Sequence, residues 1–297
     1  MILISGASGL IGRALSHSLT SDGRQAKRLV RRQAARPDEV SWYPDRGEID
    51  PRAMDGVDAV VNLAGENLSQ RWTTSARRRI RDSRIQATTL LARTIAQSSP
   101  RPRVFVSASA MGIYGTHRDD PVDENAVLGD DFLASVCKEW EGATKPAADA
   151  GARVALSRTG LVLARDGGVL AKLLLPFRLG LGGTLGAGRQ WMSWIALTDV
   201  VRALRFMIDI DSLNGPVNVV APNAVTNAEF TETLGRVLGR PTFTTVPAFA
   251  LKFALGQMAE DTALASQRIV PRRLNEAGFR FELPTLEAAL RQELLSS

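Results

Sequence analysis

The chain opens with MILISGASGLIG (residues 1–12), an apolar stretch that runs directly into three glycines with the spacing G-x-x-G-x-x-G. The pattern predicts a strand, a tight turn at Gly6 and a helix over 11–21. Gly9 would let backbone amides approach a pyrophosphate, and Gly12 would let the helix pack closely on the strand. The helix N-terminus would add N–H donors and a positive dipole end. The stretch therefore predicts a dinucleotide-binding site, with a plain glycine-rich turn as the alternative.

Strand and helix signals alternate through the first half of the chain, which is typical of a parallel sheet with crossover helices. The predicted strands are nearly all apolar, as expected where helices cover both faces of a sheet. We therefore expect an α/β fold: a Rossmann-type, doubly wound parallel sheet with a smaller, mostly helical C-terminal lobe. The predicted strands are 1–6, 26–31, 59–64, 103–109 and 153–163, and the predicted helices include 11–21, 76–98 and 131–149.

The second predicted strand ends in LVRR (29–32), which bears on the choice of dinucleotide. NAD-selective sites usually carry Asp or Glu in this region, where the carboxylate holds the ribose hydroxyls. Arg31 and Arg32 stand there instead. A guanidinium binds a 2′-phosphate in a fork, whereas a carboxylate would repel it. This favours NADP(H) over NAD(H), the alternative being that the arginines only end an exposed strand.

The texture of the sequence changes after residue 165. A glycine-rich connection occupies 177–191, and from 223 onward short helical patterns are interrupted by prolines. We therefore predict two domains. Residues 1–222 would form a Rossmann-like NAD(P)-binding domain, in which 166–193 is a loop contributing to the substrate lobe. Residues 223–297 would form a small C-terminal domain that caps the substrate.

Charge narrows the classes of partner. The 297 residues include 37 Lys and Arg against 31 Asp and Glu, which gives a net charge of +6. Basic residues cluster at 27–36 and 77–84, as solvated helix faces or as attraction for phosphate-bearing ligands. Nucleic-acid binding is disfavoured, because no reader motif accompanies the charge. A small-molecule substrate is the expected partner.

Cysteine, histidine and hydropathy exclude further classes. The single cysteine, Cys137, excludes an internal disulfide and fits a reducing compartment. His17 and His117 lie far apart in sequence and offer no metal-ligand spacing, so no metal is expected. No stretch approaches the ~18 apolar residues of a membrane span, and no basic leader precedes the first strand. We expect a cytoplasmic protein that is not bound to a membrane.

Further runs of sequence carry a resemblance to a known family. They are NLAGENLSQRWT (62–73), SASAMGIYG (107–115), FLASVCKEWE (132–141), GGTLGAGRQWMSWI (182–195) and QRIVPRRLNEAGFRF (267–281). With the glycine motif, they resemble the extended short-chain dehydrogenase/reductase superfamily of nucleotide-sugar epimerases and dehydratases. More closely, they resemble its atypical epimerase family branch, which carries a C-terminal domain of uncharacterised function. The resemblance covers essentially the whole chain.

The resemblance implies a catalytic motif that this chain carries only in part. In the superfamily a tyrosine lies four residues before a lysine, and a glutamate often follows three residues after it. The lysine holds the nicotinamide ribose and lowers the tyrosine pKa. Lys138 and Glu141 match this pattern, but Ala134 stands at the tyrosine position. Lys138 would then bind the ribose, the alternative being an exposed helix lysine.

Three other side chains are candidates for the missing chemistry. Ser107 and Ser109 end the fourth predicted strand, at the sheet edge where ligands bind, and would donate a hydrogen bond to a carbonyl. Tyr114 follows them and is the candidate proton donor, the alternative being a packed tyrosine with a satisfied hydroxyl. With Lys138, these are the predicted catalytic residues.

The resemblance and the motifs together predict two sets of binding residues. The predicted cofactor-binding residues are Gly6, Ser8, Gly9, Leu10, Ile11, Gly12, Arg31, Arg32, Leu63, Ala64, Gly65, Lys138 and Thr159. Met192 stands where the superfamily commonly has an arginine for a substrate diphosphate, which disfavours a nucleotide-sugar substrate. The predicted substrate-binding residues suggest a pocket with aromatic walls, the alternative for each tryptophan being ordinary burial. They are Asn67, Arg71, Trp72, Arg189, Trp191 and Trp194.

These observations lead to two functional hypotheses. The first is an NADP(H)-dependent oxidoreductase of the epimerase/dehydratase-like class that acts on a small carbonyl or alcohol. The second is a non-catalytic NADP(H)-binding protein that senses redox state or regulates a partner, and it is motivated by Ala134 beside an intact glycine motif.

Overall fold

The computed structural model describes residues 1–295, except for the side chains of residues 254 and 255. Its residues form two compact units, and each unit draws on three stretches of the chain. The first comprises Met1–Ala110, Val136–Arg158 and Val201–Val217; the second comprises Met111–Ser135, Thr159–Val200 and the residues from 218 onward. The prediction divided the chain once, at residue 222, whereas the stretches that form the two units alternate along the chain. The connections 111–135 and 159–200 fold with the C-terminal segment.

The strands are short and follow one another through the whole chain. They are β1 (Ile2–Ser5), β2 (Ala26–Val30), β3 (Glu39–Tyr43), β4 (Glu48–Ile49), β5 (Ala59–Asn62), β6 (Val104–Ala110), β7 (His117–Val122), β8 (Arg153–Thr159), β9 (Leu161–Ala164), β10 (Gly183–Leu185), β11 (Trp191–Met192), β12 (Trp194–Ala196), β13 (Gly215–Val219), β14 (Val225–Thr226), β15 (Thr244–Val246) and β16 (Ser266–Ile269).

Helices alternate with these strands. They are α1 (Leu10–Ser21), α2 (Thr74–Gln97), α3 (Phe132–Gly142), α4 (Lys145–Asp149), α5 (Gly168–Arg178), α6 (Leu197–Asp209), α7 (Asn227–Leu238), α8 (Ala248–Leu255), α9 (Arg272–Glu276) and α10 (Leu286–Leu295), with a 3₁₀ turn at Met111–Tyr114 and a π-helical turn at Ala259–Ala263. Within residues 1–295, no helix is long and apolar enough to cross a membrane.

An eight-stranded sheet organises the first unit, with the strand order β13-β8-β6-β5-β1-β2-β3-β4. β1 pairs in parallel with β2 on one side and with β5 on the other, and β5 pairs in parallel with β6. In this sheet the two-residue edge strand β4 runs antiparallel to β3. The strand order therefore changes direction at β1, the switch point at which such sheets bind ligands. The predicted α/β class with a Rossmann-type parallel sheet is confirmed.

The apolar core of the first unit joins the sheet to α2. Leu3, Val60 and Phe105, from three adjacent strands, pack in one cluster with Leu91 and Ile95 of α2, and all five side chains are fully buried. Burial of an apolar side chain of this size stabilises the fold by about 1.5–3 kcal/mol. This core holds the strand ends that carry the candidate site.

The second unit has a core of its own, built from helices and short strand pairs. α7 begins with a complete capping box between Thr226 and Glu229, and it ends at Gly239, which adopts the left-handed conformation with φ 63°. Parallel pairing joins β16 to β7 and β12 to β9. The buried core residues include Leu163, Leu174, Phe177, Trp194, Phe230, Leu234 and Leu290.

Candidate nucleotide-binding site

The loop between β1 and α1 depends on two glycines that no other residue could replace without movement of the backbone. Gly6 has φ 67°, and a Cβ added there would lie 2.5 Å from the carbonyl oxygen of Leu63. A Cβ added at Gly12 would lie 2.2 Å from the carbonyl oxygen of Gly6. Gly9 is the N-cap of α1 and provides no side-chain cap. The first N–H groups of α1 therefore remain available to an anion.

A cleft of about 1740 Å³ lies in the first unit along the ends of β1, β2, β3 and β5. Eight of the predicted cofactor residues line it: Gly6, Ser8, Gly9, Arg31, Arg32, Leu63, Ala64 and Gly65. The other five, Leu10, Ile11, Gly12, Lys138 and Thr159, do not line it. The first three of these belong to the opening turn of α1. The structure thus brings together the glycine loop, both arginines and the segment after β5.

The cleft has further walls that sequence reasoning missed. Tyr43, the last residue of β3, and Arg46, in the turn after it, line the cleft. The Arg46 guanidinium carbon lies 5.3 Å from the centre of the Tyr43 ring. Ser75 and Arg78, from the first turns of α2, also line the cleft. The basic cluster 77–84 indicated Arg78 as a partner for phosphate, but not its position at the cleft, and Arg46 lies outside both basic clusters.

The two arginines that end β2 have different environments. Arg32 donates two hydrogen bonds to the carboxylate of Glu39, at 2.8 Å and 2.7 Å. These bonds, followed by the bond from the Ala35 N–H, lower the pKa of Glu39 to about 2. Arg31 is exposed, and within residues 1–295 its side chain has no ion pair or hydrogen bond. Arg31 is therefore the arginine with its donors available to a ligand.

A buried hydrogen-bond network joins the ends of β1 and β5. Ser5 Oγ donates to Asn62 Oδ1 at 2.6 Å, and Asn62 Nδ2 donates to Thr88 Oγ1 of α2 at 2.8 Å. The indole N–H of Trp140 donates to the same Thr88 oxygen at 2.9 Å. Asn62 Nδ2 also lies 3.5 Å from Ser107 Oγ, and Ser107 is fully buried. The network fixes the strand ends beside the cleft.

Arg84 is a half-buried cation that the sequence indicated only as the last residue of the basic cluster 77–84. Its guanidinium donates to the carbonyl oxygens of Ile80, at 2.9 Å, and of Glu66, at 3.1 Å, and lies 5.2 Å from the centre of the Trp140 ring. Burial lowers the pKa of Arg84. A Cβ added at Gly65 would lie 3.2 Å from its guanidinium carbon. Arg84 thus holds the segment that follows β5, and its signal was an arginine within the apolar stripe of α2.

The predicted catalytic serines lie at the end of β6 in the first unit. Ser109 donates to Glu141 Oε1 at 2.6 Å, and Arg158 donates to both oxygens of that carboxylate, each at 2.8 Å. Lys138 is exposed on α3 and within residues 1–295 has no ion pair or hydrogen bond of its ammonium group. The ribose-binding and the exposed-lysine interpretations of Lys138 both fit this position.

The predicted proton donor Tyr114 belongs to the second unit. Its side chain is fully buried, and its hydroxyl donates to Asn218 Oδ1 at 2.7 Å. The side chain of Asn218 in turn donates to the carbonyl oxygen of Val270 at 3.0 Å. Ala134, at the position of the missing tyrosine, is also fully buried. Tyr114 therefore has the packed environment with a bonded hydroxyl that its alternative interpretation describes.

The predicted substrate residues divide between the two units. In the first unit, Asn67 Oδ1 accepts a bond from the Ser69 N–H at 2.8 Å, Arg71 is exposed, and Trp72 is buried with its indole N–H bonded to the Leu68 carbonyl at 2.9 Å. These contacts stabilise the loop after β5. Asn67 and Arg71 are the exposed predicted residues of this loop.

In the second unit, Trp194 has the buried environment that its alternative interpretation describes. Trp194 is fully buried in the apolar core, where its indole N–H donates to the Asn223 carbonyl at 3.0 Å. Trp191 is half-buried with the guanidinium carbon of Arg268 4.4 Å from its ring centre, and Arg189 is exposed. A run of apolar strand residues carries Trp194 inward, which the clustering of tryptophans in sequence did not reveal.

The cysteine and the possible metal ligands also bear on the chemistry of the chain. Burial raises the pKa of the Cys137 thiol to about 12. The thiol therefore remains protonated at neutral pH and is a poor nucleophile. Within the described residues, no group of three His, Cys, Asp or Glu side chains is arranged to hold a metal ion.

Comparison with known proteins identifies the family. A family model described as the NAD dependent epimerase/dehydratase family matches residues 2–220, and a model for a domain of unknown function matches residues 246–293. An epimerase family protein of Mycobacterium leprae is 47% identical over 291 residues, which are 98% of this chain and 94% of that protein. The chain therefore belongs to the NAD dependent epimerase/dehydratase family.

Solved structures agree with this assignment. The crystal structure of human epimerase family protein SDR39U1 (isoform 2) with NADPH matches with a TM-score of 0.90 at 33% identity, over 100% of this chain and 99% of that one. A nucleoside-diphosphate sugar epimerase of Corynebacterium glutamicum matches with a TM-score of 0.82 at 37% identity, over 99% of this chain and 57% of that one. The resemblance to the epimerase family branch with its C-terminal domain of unknown function is thus confirmed.

Proposed function

We propose that the protein binds NADP(H) in the cleft of the first unit, in preference to NAD(H), and uses it as an oxidoreductase of the epimerase/dehydratase-like class on a small carbonyl or alcohol. Arg31 carries the proposal, because an exposed guanidinium without an internal partner lines the same cleft as the glycine loop. The crystallisation of the human relative with NADPH supports it.

The residues of the cleft fit the parts of this cofactor. Backbone N–H groups at the start of α1, opened by Gly6 and Gly9, would bind the pyrophosphate. Arg31 would bind the 2′-phosphate by charge-assisted hydrogen bonds, and Glu39 would keep Arg32 out of that contact. Lys138 does not line the cleft, and its proposed binding of the nicotinamide ribose rests on the family resemblance alone. Bound NADPH would supply a hydride to a carbonyl carbon.

Proton transfer is the weak part of this chemistry. Ala134 has no ionisable group, and the Tyr114 hydroxyl would have to leave Asn218 Oδ1 before it could protonate a substrate. Loss of a general acid typically costs about 10²–10⁴-fold in rate. We therefore expect slow turnover, driven mainly by the orientation of cofactor and substrate.

The same observation favours a second candidate function. A protein that keeps the glycine loop and Arg31 but commits its buried tyrosine to Asn218 could bind NADP(H) without turnover. It would then sense redox state or regulate a partner through the bound cofactor.

A binding and single-turnover experiment separates the two functions. Calorimetry would compare NADPH with NADH, and absorbance of the nicotinamide would follow NADPH oxidation across a panel of aldehydes and ketones. If the protein is an enzyme, NADPH should bind more tightly than NADH, and at least one compound should oxidise the bound NADPH. This oxidation should be slower in Tyr114→Phe, provided that the variant has an unchanged melting temperature. Binding without any oxidation supports the sensor. Failure of both coenzymes to bind contradicts both functions.

A further inference from the structure

Three side chains near the end of β6 fix the direction of one hydrogen bond. Ser109 Oγ lies 2.6 Å from Glu141 Oε1, and Arg158 binds the same carboxylate through Nε and Nη2, both at 2.8 Å. Ser109 and Arg158 are each 4% exposed, and the Glu141 side chain is 11% exposed. An ionised carboxylate is an acceptor only, so the proton of this bond belongs to Ser109.

This direction changes what Ser109 can offer to a ligand. A serine hydroxyl has one proton and two lone pairs, and the proton here is committed to a charged acceptor, the stronger class of hydrogen bond. Within residues 1–295, no group donates a hydrogen bond to Ser109 Oγ. Ser109 therefore presents itself to a ligand as an acceptor. This differs from the donor role toward a carbonyl that the sequence suggests.

The sheet register places Ser109 on the nicotinamide side of the switch point. Arg31 follows β2, on one side of β1, and would take the adenosine half; β5 and then β6 lie on the other side. Two strand spacings separate β6 from β1, roughly 10 Å, which the ribose and nicotinamide ring together can cover. Asn62, the last residue of β5, pairs with Ser107, so Ser109 lies two residues further along toward the ligand edge.

We infer that Ser109 accepts a hydrogen bond from the carboxamide N–H of bound nicotinamide, with Glu141 and Arg158 as positioning residues. The inference rests on the proposed binding of NADP(H): Ser109 does not line the cleft, so the nicotinamide half would have to extend from the cleft past the end of β5 toward β6. The carboxamide is the N–H donor of the nicotinamide ring, whereas a substrate carbonyl has no proton to give to an acceptor. The Ser109–Glu141–Arg158 triad thus orients the ring rather than polarising the substrate.

A cofactor analogue tests this bond directly. In the 3-acetylpyridine analogue of NADP⁺ a methyl ketone replaces the carboxamide, so the N–H donor is absent. Dissociation constants of NADP⁺ and of the analogue would be measured for the unchanged protein and for Ser109→Ala. We expect the unchanged protein to bind NADP⁺ roughly three- to tenfold more tightly than Ser109→Ala does. The analogue should bind both proteins equally.

Controls separate this bond from general damage. Ser98→Ala removes a serine at the end of α2, outside the cleft, and should leave both constants unchanged. Adenosine 2′,5′-bisphosphate occupies only the adenosine half and should bind Ser109→Ala as it binds the unchanged protein. If Ser109→Ala does not fold, Ser109→Cys can replace it, because a thiol is a poorer acceptor and should show the same selective loss of affinity for NADP⁺. Ser109→Thr keeps the hydroxyl and should retain the affinity of the unchanged protein.

The outcomes distinguish this inference from the proposed function. An equal loss for NADP⁺ and the analogue, or no loss for either, overturns the carboxamide bond while NADP(H) binding stands. If Ser109 instead accepts a hydrogen bond from a substrate hydroxyl, Ser109→Ala should lose affinity for neither NADP⁺ nor the analogue. Absence of binding of NADP⁺ and of the bisphosphate to the unchanged protein would overturn the proposed function itself.

Discussion

The loop after β1 and the end of β6 lie on one sheet but are built to recognise a ligand by different means. The loop relies on the backbone. A Cβ added at Gly12 would lie only 2.2 Å from the Gly6 carbonyl oxygen, and the first N–H groups of α1 have no side-chain cap. The end of β6 relies on side chains, Ser109, Glu141 and Arg158, which come from three separate elements. Recognition by the backbone can be predicted from the spacing of the glycines. Side-chain recognition depends on which partner takes each proton.

The largest effect is expected at the side-chain end, in the stability of Glu141→Ala. This change leaves the buried guanidinium of Arg158 without its carboxylate, and loss of one partner of a buried pair costs about 3–5 kcal/mol. Glu139→Ala, on the same helix, removes an exposed ion pair to Arg81 and should cost less than about 1 kcal/mol. Urea unfolding of the two variants measures the difference. Equal costs would show that Glu141 is not a buried partner.

The next effect is expected at the backbone end, in the binding of NADPH to Gly12→Ala. The added Cβ meets the Gly6 carbonyl, which cannot move without opening the loop, so we expect calorimetry to show an affinity at least about 100-fold weaker. Gly142→Ala places a Cβ in open space at the end of α3 and serves as the matched control. A Gly12→Ala protein that binds NADPH normally would refute the backbone argument.

A smaller effect is expected for Arg31→Ala, at the adenosine end of the cleft. Loss of its charge-assisted bonds should weaken NADPH by about tenfold and leave NADH unchanged, because only NADPH carries the 2′-phosphate. Arg93→Ala, an exposed arginine of α2 that does not line the cleft, is the control. Parallel titrations with the two coenzymes would decide, and equal weakening of both would remove Arg31 from the phosphate site.

The smallest effect is expected in the pH dependence of the Arg32–Glu39 pair. Its hydrogen bonds lower the pKa of Glu39 from an ordinary 4.5 to about 2. The stability that this shift contributes is therefore fully present above about pH 4.5 and lost as the pH falls toward about 2. The melting temperature of Glu39→Gln should lie below that of the unchanged protein at neutral pH, and the gap should close in acid. A constant gap would contradict the shift.

The sequence predicted the first region better than the second because of where the necessary information lies. The glycines and Arg31 are local signals, read within one strand-turn-helix unit. Glu39 could not be assigned to Arg32 in advance, because it comes within reach only when β3 pairs in parallel with β2.

Long-range partners explain the remaining differences. Asn218, 104 positions further along the chain, accepts the hydrogen bond of the Tyr114 hydroxyl, and Arg158 of β8 binds Glu141 of α3. The sequence spacing identified Ser109 and Tyr114 as polar residues near strand ends. It did not identify Glu141 and Asn218, which accept their hydrogen bonds. Trp194 likewise turned inward because its strand belongs to the core of the second unit.

The burial of Cys137 has a practical consequence for studying this chain in solution. It is the single cysteine of the sequence, and its thiol, with a pKa of about 12, offers almost no thiolate to an alkylating reagent at neutral pH. A cysteine introduced on the surface would thus be labelled alone. Fluorophores or spin probes can be attached at chosen sites without first deleting the native residue.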